Sequence, residues 1–447
     1  MVLRDLAGGV DGDVVLPGDD AWDTARQAWN LAVDQRPVAV VYPESAEDVA
    51  QTVRFAAERG LRIAFNAGGH NAGPIDWSRD TLLLKTERMR GVEIDAAARR
   101  ARIEAGVQGK PLALAAAEHG LAYLSGTSPD VGVVGYSLGG GLSWMIRTFG
   151  LACNSIRAAE VVTADGRLVR TDRDTEPDLF WALRGGGGNV AAVTALELEL
   201  FPVAEIYAGA LFWPIERATE ILNAWRTWIE TVPEACESLG RMLQFPDLPF
   251  LPDHLRGRSF VLVEAAIIGS EADAAALIRP LRDLGPEFDT VALMPASDLS
   301  LVNMDPDFPL PYAGDGILLN DLDAAAIDEI VTAFVGSPLL HVEVRHLGGA
   351  AGRRSPDHGV LDAIDQPFVC FTFGIAPDAE AVEVVEHHAR QLLGALGPWD
   401  SGRRYLNFAE SQMDPRSIFP VETYERFRQV KARYDPAGMF RANHAID

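Results

Sequence analysis

Between residues 65 and 190 the chain carries three glycine-rich tracts, and any fold proposed for it has to place all three. The first is Phe65-Asn66-Ala67-Gly68-Gly69-His70-Asn71-Ala72-Gly73, the second runs over residues 125–141, and the third is Arg184-Gly185-Gly186-Gly187-Gly188-Asn189. Any one of them alone is adequately read as a turn, because glycine tolerates left-handed backbone. Three in one region point instead to a long ligand approached closely by main chain at several places. Phosphates are the groups that bare amides in a glycine nest bind well.

The neighbourhood of the first tract is regular. Residues 38–42 are a β-branched run ended by Pro43, and Ser45-Ala46-Glu47-Asp48 has the form of a capping box. Val49, Val53, Ala56 and Ala57 recur at helical spacing and Gly60 closes that helix, after which Leu61, Ile63 and Phe65 alternate as a strand. A dinucleotide fingerprint opens a helix after its glycines. Here the chain continues through Pro74 and Trp77 into Leu82-Leu83-Leu84, Val92-Glu93-Ile94 and Ala101-Arg102-Ile103-Glu104, which read as strands. A Rossmann turn is therefore excluded. A lone histidine in a loop is ordinarily solvent-facing, but His70 inside a phosphate cradle is placed for its imidazole to attack or coordinate an electrophilic ring.

Further on, residues 111–118 read as a helix, 121–124 as a strand, and 158–163 with 167–170 as a hairpin around Ala164-Asp165-Gly166. After Phe201-Pro202 the texture changes. Amphipathic helices over 215–231, 271–284, 323–334 and 379–396 alternate with apolar strands over 260–268, 339–346 and 368–375. This pattern predicts an α+β protein with domains at 1–204 and 205–397 and a last segment, 398–447, that holds a helix at 421–434. In Leu339-Leu340-His341-Val342-Glu343-Val344-Arg345-His346, a period of two puts His341, Glu343 and Arg345 on one face and Leu340, Val342 and Val344 on the other. Spacing alone reads this as a half-solvated sheet with a charge pair. If the polar face looks onto a ligand it becomes a substrate wall, with Glu343 a candidate base or ammonium partner. Metal binding by His341, Glu343 and His346 does not fit, because His346 falls on the opposite face.

One rival motif competes. Gly135-Tyr136-Ser137-Leu138-Gly139 matches the G-x-S-x-G nucleophile elbow, with the β-branched Val131, Val133 and Val134 of residues 131–134 before it and a possible helix over 142–147 after it, which would make Ser137 the nucleophile of a hydrolase. The flanking glycine tracts and hairpins are not the alternating strands and helices that such an elbow needs, and no acid and histidine follow in the required order. Charge removes other classes: a formal net charge of -25 opposes nucleic acid and anionic membrane surfaces. There is no long apolar run and no signal-like N-terminus, and Cys153, Cys236 and Cys370 are far apart, so a cytoplasmic protein without disulfide or zinc framework is expected.

Taken in order, several motifs resemble one family. They are the capped helix and G-G-H loop; S-G-x-x-P-x-V-G-x-x-G over 125–135 with the glycines at 139–141; A-D-G at 164–166; Asp178-Leu179-Phe180-Trp181-Ala182-Leu183 leading into the third glycine tract; Val193-Thr194; Tyr405-x-Asn407; and Lys431-x-x-Tyr434-Asp435-Pro436. This series resembles the berberine bridge enzyme-like flavin oxidases of the vanillyl-alcohol oxidase superfamily, from about residue 35 to the C-terminus. The resemblance implies a PCMH-type FAD-binding domain of two α/β subdomains, a substrate domain with a large antiparallel sheet covered by helices, and a C-terminal segment that returns to the FAD domain. It implies FAD with its pyrophosphate on the amides of Asn66, Ala67, Gly68, Gly69, His70 and Asn71, and with its 8α-methyl joined covalently to His70. Gly126, Thr127, Ser128, Val131, Gly132, Gly135, Tyr136, Gly139, Gly140, Gly141, Gly188, Asn189 and Val193 would line the rest, with Asn407 and Asn443 approaching from the C-terminal segment. Bicovalent members have cysteine where this chain has Ser128, so a single tether is expected; Asn66 stands where the family loop has arginine, and Phe408 where several members have tyrosine. The implied reaction is hydride transfer from an alcohol, amine or phenol of secondary metabolism to the flavin, with O2 reoxidising it to give peroxide, by a monomer or homodimer. Tyr405 or Glu343 would take the proton, Arg345 would be the cation that makes Tyr405 acidic enough, and His341, Glu343 and Arg345 would contact substrate.

Overall fold

The computed structural model describes residues 3–75, 77, 80–249 and 251–446. Among these residues the strands form three sheets. In the first, Thr81–Lys85 is central and parallel to both Ala39–Tyr42 and Arg62–Asn66. Both of its faces are covered: Leu82 and Leu84 pack with Val49, Val53 and Ala56 of the helix Ala46–Arg59, and Leu83 packs with Val40 and Ala25. A strand buried on both sides has no reason to alternate, which explains the unbroken leucine run. Each of these leucines contributes about 1.5–3 kcal/mol by burial. The helix starts where its capping residue predicts, with Ser45 Oγ accepting from the Asp48 amide at 3.2 Å, and ends at left-handed Gly60. The Asp48 carboxylate does more than face the helix dipole: it accepts from the amides of Asp11, Gly12 and Glu44 and so fastens the N-terminal stretch.

The second sheet runs Val92–Asp95, Arg100–Glu104, Ala192–Glu199, Ile156–Val162, Leu168–Asp172, all antiparallel. Two expectations give way in the stretch that leads out of it. Residues 121–124 do not form a strand; Ala122 makes a single bridge to Phe201. Where the nucleophile elbow needs a strand, Val133 begins a helix, Val133–Leu138, capped at Gly132. Gly135, Tyr136 and Ser137 therefore lie inside a helix with Ser137 buried at 2% exposure, and the sharp strand-to-helix turn that presents a nucleophilic serine is absent. The hydrolase reading falls here.

The third sheet is antiparallel, with Glu205–Pro214, Ser259–Ile267, Cys236–Gln244, His341–His346, Phe368–Ile375 and Tyr312–Leu319 as successive neighbours. The helices Ala218–Ile229, Glu271–Arg282, Ala324–Phe334 and Ala379–Ala395 cover one face, into which Met242, Val263, Val342, Val344 and Cys370 point. The expected helix over 215–231 is split, its first turn being the 3-10 segment Ile215–Arg217. By the period of two, Arg241, Glu264, His341, Glu343 and Arg345 share the other face, with Arg241 opposite Glu343 in register. That face is buried, not half-solvated: the exposures of His341, Glu343 and Arg345 are 3%, 1% and 7%.

The C-terminal helix Val421–Tyr434 is followed by Phe440–Arg441, which pairs in parallel with Arg62–Asn66 of the first sheet. A buried ion pair pins this return. Lys431 Nζ donates to Asn189 O at 2.9 Å and to Asp435 at 3.1 Å, and Asp435 also accepts from the amides of Met439 and Phe440. Removing one member of such a pair leaves an uncompensated buried charge. Lys431→Met is expected to lose about 3–5 kcal/mol in urea denaturation, and Lys431→Met with Asp435→Asn to recover part of it.

Candidate active site

The loop after Arg62–Asn66 is shaped by its carbonyls. Gly68 O and Gly69 O accept from the amides of Trp29 and Asn30 at 3.2 and 3.4 Å. Gly69 has φ +90, and a Cβ there would lie 2.7 Å from Asn66 Nδ2. With the carbonyls tied back, the amides of Gly68, Gly69 and His70 donate no hydrogen bond among the described residues. All three residues line a cavity of about 370 Å³.

Three contacts hold His70. Its ring stacks on Trp29 at 4.1 Å between centroids and 18° between planes, and its carbonyl accepts from Tyr312 Oη at 2.6 Å. Its Nε2 lies 3.4 Å from Asp130 Oδ1, close enough for a charge interaction but not aligned as a hydrogen bond, so both atoms remain unpartnered. Asp130 accepts from the Trp29 indole. Burial alone would raise the Asp130 carboxyl; the imidazole and the indole N–H beside it hold its pKa below the usual 3.8.

The residues singled out in the sequence come together around this cavity, with three exceptions. Asn66 through Asn71, Gly126, Thr127, Ser128, Val131, Gly132, Gly135, Tyr136, Gly139, Gly188, Asn189, Val193, His341, Glu343, Arg345, Asn407 and Asn443 line it. Gly140, Gly141 and Tyr405 are not among the lining residues. A Cβ on Gly140 would sit 2.8 Å from Tyr405 Oη, which shows where that phenol lies: packed under the glycines, 3% exposed. Burial carries its pKa well above 10, further than Arg345 can offset. Arg345 is committed elsewhere, its Nε donating to Glu343 Oε1 at 2.7 Å.

The polar face of the third sheet ends at the same cavity. Arg241 Nη2 lies 3.1 Å from His341 Nδ1, and since an arginine only donates, His341 must accept there and carry its proton on Nε2. Burial, with Arg241 and Arg345 nearby, keeps His341 far below 6.5 and so neutral. His341 Nε2 and Glu343 Oε2 are buried without partners, a donor and an acceptor two residues apart on one strand face. Phe371, Phe373 and Phe408 supply apolar surface beside them, with Arg345 stacked 5.1 Å over Phe408.

Sequence reasoning missed four residues that the fold delivers here. Ser128 Oγ donates to Asp305 at 2.6 Å, which joins the second glycine tract to a loop of the third sheet. Trp29 and Tyr312 bracket His70. Glu410 lies on the cavity wall 3.1 Å from Tyr312 Oη. A phenol has one proton, and it goes to the nearer acceptor, the His70 carbonyl; a protonated Glu410 then donates to the phenol oxygen. Burial and the nearby Asp315 agree with this, pushing Glu410 up to about 8 although Tyr312 opposes them.

The cavity fits a dinucleotide flavin. Its volume is within the range of cofactor pockets, its walls are glycine where a side chain would block close approach, and its polar groups wait for partners. Besides the loop amides, Asn66 Nδ2 and Oδ1, Tyr136 OH and Asn407 Oδ1 are buried and unpartnered. Relatives agree. Residues 37–172 match the FAD binding domain family and residues 404–447 the berberine and berberine-like family. The chain is 28% identical to (R)-6-hydroxynicotine oxidase of Paenarthrobacter nicotinovorans over 98% of this chain and 97% of that one. It is 27% identical to glucooligosaccharide oxidase of Sarocladium strictum over 94% and 89% of the respective chains. The crystal structure of 6-hydroxy-D-nicotine oxidase from Arthrobacter nicotinovorans superposes with a TM-score of 0.85 at 26% identity, covering 98% of both chains. Physcomitrella patens BBE-like 1 shares the fold, with a TM-score of 0.86 at 20% identity over 100% and 99%. Fold and site thus define an FAD-dependent oxidoreductase. Within that class the chain is similar along its length to the berberine bridge enzyme-like FAD-linked oxidases, whose C-terminal family matches residues 404–447.

Glu410 generates a pH prediction. An unfolded glutamate titrates near 4.5 and the folded one near 8, so between these values the native state binds the extra proton and its stability falls as pH rises. Glu410→Gln removes that term. Denaturation midpoints of wild type and Glu410→Gln should coincide below pH 4.5, diverge in favour of the variant up to about pH 8, and run parallel above it.

Proposed function

We propose that the enzyme oxidises a small alcohol, amine or phenol, with the FAD pyrophosphate on the amides of residues 66–71 and the flavin 8α-methyl tethered to His70. FAD, when bound, supplies hydride acceptance and reoxidation by O2 with release of peroxide. Support for the tether is the setting of His70: the stack on Trp29 fixes its plane, and Asp130 faces an Nε2 that has no hydrogen-bond partner. A carboxylate in that position favours the imidazole as a nucleophile, because it stabilises the positive charge that alkylation creates. Ser128 has no thiol to offer and its hydroxyl is engaged with Asp305, so one tether is assigned. In this reading residues 1–204 and 398–447 serve the cofactor and 205–397 the substrate.

The observation that carries the substrate assignment is the unpartnered pair on the cavity wall, His341 Nε2–H and Glu343 Oε2. Glu343 is the base: Arg345 holds one oxygen and fixes the carboxylate, leaving the other to take the proton of a substrate hydroxyl or ammonium as its C–H bond is broken. His341 donates to a second polar atom of the substrate, and the phenylalanines cover its apolar body and exclude water. Tyr405, under the glycines, takes no part as base. The named activities of the relatives, on 6-hydroxynicotine and on glucooligosaccharides, are compatible with such a donor–acceptor pair.

Anaerobic mixing with candidate alcohols and amines should bleach the flavin band. Glu343→Gln should slow that bleaching by about 10²–10⁴-fold at unchanged flavin content, whereas Tyr405→Phe should leave it near wild type. Full-rate bleaching in Glu343→Gln would remove Glu343 as base, and a yellow protein that no donor bleaches would be a flavin-binding protein without turnover.

A further inference from the structure

Arg345 and Arg441 are the arginines that line the cavity among the described residues, and no lysine joins them. Arg345 is already paired with Glu343. Arg441 is different: its Nε is buried without a hydrogen-bond partner, and it makes no ion pair among the described residues. A guanidinium that stays charged at any working pH, in a chain of net charge -25, calls for an anion.

Its place in the fold says which anion. Phe440–Arg441 pairs in parallel with Arg62–Asn66, Arg441 opposite Ala64, about 6.6 Å along the strand from Asn66 and the start of the amide cradle. Phe440 enters the core beside Val49 and Val53, so its neighbour Arg441 is turned to the other side of the sheet. Asn443, two residues on, donates to the Asn71 carbonyl, which brings this segment against the far end of the cradle. The cradle's own side chain, Asn66, brings no charge. Asp305 and Glu343 are acidic side chains that line the same cavity. A pyrophosphate diester carries two negative charges, and here its amides need a cation beside them.

We propose that Arg441 is the phosphate-binding cation of the FAD site, supplying from the C-terminal strand the positive charge that the Asn66 loop lacks. The planar fork suits two phosphate oxygens at once, which a lysine at the same place matches only as a point charge. This rests on the reading that the pyrophosphate lies on the amides of residues 66–71.

The test uses the full chain with His70→Ala, so that flavin binding is reversible, and compares FAD with riboflavin, which lacks phosphate, by flavin fluorescence titration. Adding Arg441→Gln should weaken FAD binding about 10- to 100-fold, as expected for losing a charge-assisted contact, with riboflavin unaffected and Arg441→Lys intermediate. Loss of FAD affinity should also flatten its dependence on salt. Equal weakening of both ligands, or FAD affinity unchanged, overturns the proposal. A phosphorus NMR spectrum of the holoenzyme with His70 intact gives a second reading: the pyrophosphate resonances should move on Arg441→Gln, and unmoved resonances count against it. Pyrophosphate resonances identical to free FAD in the unsubstituted holoenzyme would instead sink the underlying placement of the cofactor.

Discussion

Two hydrogen bonds organise this site. By accepting from Trp29 and Asn30, the carbonyls of Gly68 and Gly69 are turned away from the cavity, and the amides on the other edge of the same peptides are left to face it. Only glycine satisfies φ +90 at residue 69 without displacing Asn66 or Ala28. The same segment places the Trp29 ring under His70. An anion-binding nest and an oriented imidazole are thus consequences of one backbone arrangement, and neither needs a helix N-terminus.

The second constraint is the burial of a charged sheet face. Arg241, Glu264, His341, Glu343 and Arg345 are all below 9% exposure, which is tolerable because each of them pairs at least one polar atom with another of the set. Glu264 shows the strain of that environment, pushed up to about 7 by burial even with Arg241 at 3.2 Å. Arg241 Nε and Glu264 Oε2 stay unpartnered inside the sheet face, while the other two atoms left over, His341 Nε2 and Glu343 Oε2, belong to residues that line the cavity. A sheet buried on one side by helices and on the other by protein, with Asn303 against Arg241 and Phe408 against Arg345, gives a polar strand face without solvent.

Much of this was legible in the sequence because it is local. A capping box, a leucine run, a G-G-H loop and a period of two are each written within ten residues. What failed or was missed depends on distance along the chain. Asp130 meets Trp29 across 101 residues, and Tyr312 meets His70 across 242, pairings that no spacing rule connects. The alternating charges over 341–345 imitate a solvated strand, since periodicity reports which residues share a face and not what covers it. Val131, Val133 and Val134 fit the strand that a nucleophile elbow needs, but three local residues cannot outweigh tertiary placement, and Val133 begins a helix capped at Gly132. Tyr405 illustrates the limit of motif reasoning: it sits two residues from Asn407, which lines the cavity, yet its phenol is directed under Gly140.

The central claim is that the cradle delivers a flavin to His70. Mass analysis of the peptide containing residues 66–73, from protein precipitated in acid and digested, tests it most directly. The account predicts that this peptide carries the mass and fluorescence of one flavin on His70 and that Ser128 is unmodified. A peptide of unmodified mass, with all flavin released into the acid supernatant, would contradict it.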